Sequence, residues 1–288
     1  MNGKVIMITG AARGIGEHTA RQAVARGARV SLVGLEPERL AAVASSLGDA
    51  ARWFEADVTD QAALESATRG TVDAFGGLDA VVANAGIANR GTIAVGDLDA
   101  LVRTIEVDLI GTVRTVAATV PAVSARHGYY LLVSSAAAFA ALPGMAAYCA
   151  AKAGVEQFGN AIRIELAHRG VSVGTAHMSW VDTDLVRDAK EDLPSFRAAL
   201  DRLPGPLGRS VPVERCAAAF VDAVERRRRR VYVPRSIAAA SAFRSVVNGR
   251  LGGWIAQRAA ARSVPEMEEQ LRALGRGYGA NTAPQQRR

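Results

Sequence analysis

Val5-Ile6-Met7-Ile8-Thr9-Gly10-Ala11-Ala12-Arg13-Gly14-Ile15-Gly16 decides how the rest of this chain is read. The first five residues are apolar or β-branched and predict a buried strand over 5–9. The glycines that follow predict a tight turn and then a helix over 14–26. Gly10 permits the turn, Gly14 lets a backbone approach a pyrophosphate, and Gly16 lets helix and strand pack closely. The N–H groups at the helix start, those around Ile15 among them, attract phosphate with help from the helix dipole. A glycine-rich turn without a ligand is the plain alternative, and the placement between a first strand and a first helix weighs against it.

Working outward, β-branched runs recur at 29–33, 52–55, 80–83, 129–134, 171–177 and 230–233. Helical stretches lie between them at 14–26, 37–47, 61–75, 98–126 (broken near Gly111) and 147–169. This alternation predicts an α/β fold, a doubly wound seven-stranded parallel sheet with right-handed crossovers. Residues 1–234 form the single domain and 235–288 a helical C-terminal extension whose last residues, from 275 on, are expected to be disordered. The segment 184–211, with its prolines and mixed charges, reads as mobile with one short helix.

The bulk numbers fit that scheme. The chain has 288 residues, 49% hydrophobic and 22% charged, enough for one large α/β domain with a substantial core. No run approaching the roughly 20 apolar residues of a bilayer span is expected, and no signal peptide. Cys149 and Cys216 are too few for a disulfide framework, so a cytoplasmic protein is expected, without a metal site. The net charge of +7 is uneven: 14 arginines from 226 to 288 face three glutamates, and the remainder carries 21 basic against 25 acidic groups. The basic character therefore belongs to the tail, and nucleic acid is not the expected partner.

Candidate site residues follow the strand ends. Asp57, in Ala56-Asp57-Val58, follows the third strand and either accepts a bond from an adenine amino group or caps a helix, although Asp60 suits the cap better. Asn84-Ala85-Gly86 ends the fourth strand, where its backbone would border a cofactor ribose. Ser135 ends the fifth, at the edge where doubly wound sheets bind ligands, with a hydroxyl able to bond a substrate oxygen. Tyr148 and Lys152 are one helical turn apart on one face. An ammonium there stabilises a phenolate and is expected to lower the tyrosine pKa from near 10 toward working pH, making the phenol a proton donor and acceptor. By spacing alone Tyr148 and Lys152 would be a surface pair, and Ser135 a strand-end cap. Their joint occurrence with the cradle, in this order, is what gives them a role.

These pieces together resemble the short-chain dehydrogenase/reductase family over about residues 3–234: Thr9 to Gly16, Asn84-Ala85-Gly86, Ser135, Tyr148 thirteen residues beyond that serine, and Lys152. The resemblance implies a Rossmann-like fold and an oxidoreductase moving hydride between NAD or NADP and an alcohol or ketone. It implies Tyr148 as general acid and base, Lys152 lowering its pKa and binding the nicotinamide ribose, and Ser135 polarising the substrate carbonyl. It also implies a homodimer or homotetramer built on the helices near 98–126 and 147–169. There are two departures. Asp108 stands where the family commonly has an asparagine whose carbonyl holds a relay water; it keeps the carbonyl, and its carboxylate either reinforces the lysine's charge or pairs elsewhere. Ser179-Trp180-Val181-Asp182-Thr183 replaces the usual Pro-Gly before the carboxamide-binding threonine, which Thr183 matches; Trp180 lines the nicotinamide pocket or plugs the core.

The nucleotide choice rests on residues 34–36. Glu36 reaches the ribose or sits in the first turn of the next helix, and Arg13 meets a 2′-phosphate or pairs with Glu36; with no basic residue at 34–36, NAD is favoured. In the tail, Phe243, Val246, Val247, Leu251, Trp254 and Ile255 recur at helical spacing among arginines. Such a helix docks over the substrate pocket or a partner subunit, or makes a peripheral contact with an anionic membrane. An apolar, steroid- or lipid-like substrate would suit the side chains of 136–145. The alternative from another class is a cofactor-sensing regulatory or scaffold protein without chemistry.

Overall fold

The computed structural model describes residues 1–202 and 208–279. Seven parallel strands form one sheet in the order β3-β2-β1-β4-β5-β6-β7. They are β1 Val5–Thr9, β2 Arg29–Gly34, β3 Ala51–Glu55, β4 Ala80–Ala83, β5 Tyr129–Val133, β6 Ser172–Met178 and β7 Arg230–Val233. This is the doubly wound sheet the alternation predicts. β1, β4 and β5 are buried along their whole length because helices cover both faces.

On one face pack α1 (Gly14–Ala25), α2 (Pro37–Leu47) and α9 (Val213–Arg226), through Ala20, Ala23, Leu40, Val43, Phe220 and Val221. On the other lie α3 (Gln61–Phe75), α5 (Gly111–Ala125) and α6 (Ala146–Glu165), through Leu64, Ala67, Val116, Val123, Val155 and Ile162. A buried side chain such as Phe220, with no accessible surface, contributes roughly 1.5–3 kcal/mol by leaving water. The strand order reverses beside β1, whose neighbours β2 and β4 lead in opposite directions. Their carboxyl ends flank a crevice, the usual ligand position of such sheets.

Three expectations need correction. First, the helix over 98–126 is not broken at Gly111. α4 (Leu98–Ile105) passes through one π-helical turn, Glu106–Ile110, directly into α5. Gly111 is helical, and its missing side chain serves packing: a Cβ there would lie 2.6 Å from Cγ2 of Val58. The π turn sets Asp108 fully inside the protein, and the hydroxyl of Thr112 donates to the Asp108 carbonyl at 2.7 Å. The whole run Leu98–Ala125 is also long and apolar enough to cross a bilayer, against the expectation that none exists. Here it lies along the sheet, with Val107, Val116 and Val123 in the second core.

Second, 184–211 contains two helices, α7 (Asp184–Asp192) and α8 (Pro194–Asp201), with Pro194 in the first turn of α8, where its missing N–H costs nothing. Residues 203–207 of that segment lie outside the described residues. Third, the tail forms three helices rather than one, α10 (Ile237–Ala242), α11 (Arg244–Val247) and α12 (Arg250–Leu274), and residues 276–278 beyond them touch the body. Tyr278 donates to the carbonyl of Ala100 at 2.9 Å, the Gly277 carbonyl accepts from the N–H of Arg90, and Arg276 pairs with Asp192 at 2.6 Å. The remainder of that stretch, 280–288, is outside the described residues.

Gly111→Ala tests the packing reading. In an ordinary helix this change stabilises by up to about 1 kcal/mol. Here it is expected to destabilise by about 1–3 kcal/mol in urea unfolding, because the added carbon must displace Val58.

Candidate active site

The crevice is stitched across its floor. The hydroxyl of Thr9 accepts from the backbone N–H groups of both Asn84 (3.0 Å) and Ala85 (3.1 Å). The Asn84 amide donates back to the carbonyls of Thr9 (3.0 Å) and Gly10 (3.3 Å). A Cβ on Gly10, whose φ is +65°, would lie 2.9 Å from Cα of Ala85, and one on Gly16 would strike the Gly10 carbonyl. Only glycine fits at either place. Gly14, at φ +56°, has open space instead, its nearest neighbour being Cγ2 of Thr183 at 3.5 Å from a would-be Cβ. Among the described residues no side chain at the N-cap position closes the α1 N-terminus, whose first N–H groups suit an anion. Ile15, in that first turn, packs its side chain on the core. This cradle fits a dinucleotide pyrophosphate.

At the adenine side, Arg13 and Glu36 form a two-pronged pair, Nε to Oε2 at 3.0 Å and Nη2 to Oε1 at 2.9 Å. Arg13 also lies 3.7 Å from Asp184, and Arg39 lies 3.5 Å from Glu36. Arg13 thus forms the pair with Glu36 that the sequence offers as one alternative. Asp57 is not the helix cap; Asp60 is, accepting from the N–H of Ala63. The Asp57 carboxylate accepts from the N–H and hydroxyl of Thr59, both at 2.8 Å, and from Arg103 at 2.9 Å. Burial works against its charge, yet these bonds outweigh burial and hold its carboxyl below the usual value. Val58 is buried against Gly111. Thr183 opens α7 with its hydroxyl on the Val181 carbonyl, and Trp180 meets Phe196 edge-on at 5.1 Å.

The reactive cluster lies at the carboxyl end of β5. Ser135 leaves the strand and turns into the short 3-10 helix Ala136–Ala138, accepting from the N–H of Ala137 at 3.2 Å. The Ser135 hydroxyl favours the charged form of the Tyr148 phenol. Lys152 is buried, its Nζ 5.4 Å from the centre of the Tyr148 ring and 3.2 Å from the Val133 carbonyl. Ser134, which sequence reasoning passed over, anchors the arrangement by donating to the Lys152 carbonyl at 2.8 Å.

Asp108 is the departure with consequences. Its Oδ2 stands 2.9 Å from Nζ of Lys152, and its Oδ1 accepts from the N–H of Ile87 at 2.8 Å. Gly86 roofs the pair: a Cβ there would sit 3.3 Å from both Oδ2 and Nζ. Of the two roles open to the carboxylate, reinforcing the lysine's charge is the one the geometry shows. Burial opposes the charge of Lys152, but Asp108 and the tyrosine oxygen override it and hold the ammonium above its ordinary pKa. Complete burial pushes the Asp108 carboxyl up despite the lysine. Tyr148 is pushed up as well: burial leads, Lys152 and Ser135 favour the phenolate, and Asp108 opposes it. The expectation that the lysine draws the phenol toward neutral pH is therefore corrected: burial outweighs the help of Lys152 and Ser135, and the Asp108 carboxylate opposes it further.

Sequence reasoning also missed the Thr9 hydroxyl, Arg103 and the clasp between Arg90 and Asp192. None belongs to a local pattern; each acts across long stretches of chain.

Comparison with known proteins agrees with this geometry. The short chain dehydrogenase family model matches residues 4–194. The chain is 36% identical over 206 residues to a 3-alpha-(or 20-beta)-hydroxysteroid dehydrogenase of Mycobacterium tuberculosis, covering 71% of this chain and 78% of that one. It is 35% identical over 196 residues to a trans-4-hydroxycyclohexanecarboxylate dehydrogenase of Sinomonas cyclohexanicum, covering 65% and 76%. It is 36% identical over 177 residues to a 2-(S)-hydroxypropyl-CoM dehydrogenase of Xanthobacter autotrophicus, covering 60% and 69%.

The Asp108 contribution can be read without turnover. In Asp108→Asn the Ile87 bond is kept and the opposing charge is gone, so Tyr148 is expected to ionise at lower pH than in the wild type. Phenolate absorbance against a Tyr148→Phe reference measures it; an unmoved titration would mean that the carboxylate does not act on the phenol.

Proposed function

The chain belongs to the short-chain dehydrogenase family, a nicotinamide-dependent oxidoreductase of alcohols, and from that premise we propose that Tyr148 is its general acid and base and that its substrate is an apolar secondary alcohol or the matching ketone. The observation that carries this reading is the convergence of Ser135, Tyr148 and Lys152 at the β5 edge, beside the Asn84–Gly10 crevice. In oxidation, Ser135 holds the substrate oxygen and Tyr148 takes its proton while the carbon gives up hydride. In reduction, Tyr148 returns the proton to the forming alkoxide. When bound, the nicotinamide supplies the hydride acceptor or donor and, in its oxidised form, a positive charge that favours the phenolate. Gly10, Gly14, Gly16 and the first turn of α1 would hold its pyrophosphate, and Lys152 and Thr183 its nicotinamide end.

Asp108 acts in this scheme as a positioning residue. It fixes the lysine as an ammonium and aims it, at the cost of a less acidic phenol. The apolar substrate is supported by the small and aliphatic side chains of 136–145 and by Met267 of α12, which packs on Gly144. The ring-bearing alcohols in the names of two relatives agree with it. NAD is the proposed nucleotide: the Glu36 carboxylate keeps acceptor capacity for ribose hydroxyls and pairs with Arg13, a cation that would otherwise be available to a 2′-phosphate. The exposed Val102, Ile110 and Ile164, on the α4–α5 run and α6, support a homo-oligomer joined through those helices.

Tyr148→Phe is expected to lower turnover about 1000-fold on an alcohol and ketone panel while dinucleotide binding, followed by fluorescence of the reduced cofactor, is kept. A wild type without turnover on any member would favour a cofactor sensor instead. Glu36→Ala should free Arg13 and raise the ratio of kcat/KM with NADP to that with NAD by about 10–100-fold; an unchanged ratio would remove the Arg13–Glu36 pair from nucleotide selection.

A further inference from the structure

The tail is fastened to the body at both ends: Ile237 and Ser241 are buried at its start, and three residues of α12 hold its far end. Met267 packs on Gly144, Glu268 accepts from Thr92 at 2.7 Å, and Gln270 accepts from Ser195 at 2.6 Å. The apolar stripe that the sequence marks is elsewhere and takes no part in this docking. Phe243, Val246, Val247, Leu251, Trp254 and Ile255 are all exposed, from 45% at Val247 to 67% at Leu251. On α12, Leu251, Trp254 and Ile255 share one face at i, i+3 and i+4, and Arg258 and Arg262 continue it at i+7 and i+11. The guanidinium of Arg258 lies 4.0 Å over the Trp254 ring.

Charge identifies what covers the stripe. From Arg226 to Pro265 the chain has ten arginines and no aspartate, glutamate or lysine. Arg244 is taken by Glu156, at 3.0 Å, and this pair ties the segment to α6. Arg250, Arg258 and Arg262 are exposed and form no ion pair among the described residues. A second copy placed on the stripe about a two-fold axis would bring these same cations against themselves. An anionic lipid surface supplies acyl chains for the aliphatic residues, a headgroup zone for tryptophan, and phosphates for the guanidiniums.

We propose that the exposed stripe of residues 243–262, with Arg250, Arg258 and Arg262 exposed along it, is a docking surface for an anionic lipid bilayer. Docking requires no hydride chemistry, so it stands or falls separately from the reaction. It would bring lipid close to the wall after Ser135, because Asn248 donates to the Phe139 carbonyl at 3.3 Å beside the stripe.

The experiment is co-sedimentation of the full chain with phosphatidylcholine vesicles and with vesicles that also contain phosphatidylglycerol. Binding is expected to be at least about tenfold tighter on the phosphatidylglycerol vesicles and to weaken with added salt. Leu251→Asp/Trp254→Asp/Ile255→Asp should reduce that binding about tenfold or more with circular dichroism and unfolding temperature unchanged. Arg250→Gln/Arg258→Gln/Arg262→Gln should abolish the preference for anionic lipid. Three results would overturn the proposal: no binding to either vesicle, equal binding by the aspartate variant, or an aspartate variant that only splits an oligomer, which would assign the stripe to a second copy.

Discussion

A single buried ion pair sets the terms of the site. Asp108 and Lys152 are 0% and 4% exposed and 2.9 Å apart, so each is acceptable in the interior because the other is there. Taking two charges out of water costs several kcal/mol apiece, and removing one partner leaves the other uncompensated. The remaining contacts secure the pair: the Ile87 N–H on one carboxylate oxygen, the Val133 carbonyl on the ammonium, and Gly86 closing over both. Lysine orientation, the field at Tyr148 and the path of the loop after β4 are therefore coupled. An asparagine at 108 would leave the lysine pointing at the phenol as its nearest charge partner; the aspartate shares it out.

Much of the fold can be read from short-range pattern. β1, β4 and β7 and helices α2 and α3 have the bounds that periodicity predicts, because apolar runs bounded by glycine, proline or a capping aspartate are local signals. The glycine cradle is equally legible, since each glycine answers a backbone need. Asp108 is identifiable as a departure with the lysine as one possible partner, but sequence alone does not choose between the alternatives: across the 44 residues from Lys152 the approach is made by packing α6 against the π turn. Tyr148 is legible from its motif, but the burial and the Asp108 charge that push its phenol up are set by neighbours in space and not in sequence.

The two segments read as irregular show the reverse error. Around α7 and α8, proline and mixed charge suggest a loop, yet Pro194 starts a helix and Asp192 is claimed by Arg90 and Arg276. Residues 275–279 look like a frayed end, yet the Gly277 carbonyl and the Tyr278 hydroxyl find partners on the body. Composition measures what a segment can bury, whereas order here comes from a few directional bonds to a surface already folded.

The π turn at Glu106–Ile110 has a consequence of its own. One residue more than an α-helical turn holds is carried there, and every side chain beyond it is rotated by about 100° relative to an unbroken α-helix. The charge under Gly86 and the valines of α5 that face the sheet are thus kept in phase by the same surplus residue. Deleting any one of the five would trade the bulge for regular helix and turn the downstream side chains out of alignment with the upstream ones, leaving the chain to choose between its reactive centre and its hydrophobic interior. Insertions and deletions elsewhere on the surface are shifts in length; at this place they are shifts in angle, and the helix has no slack to absorb them.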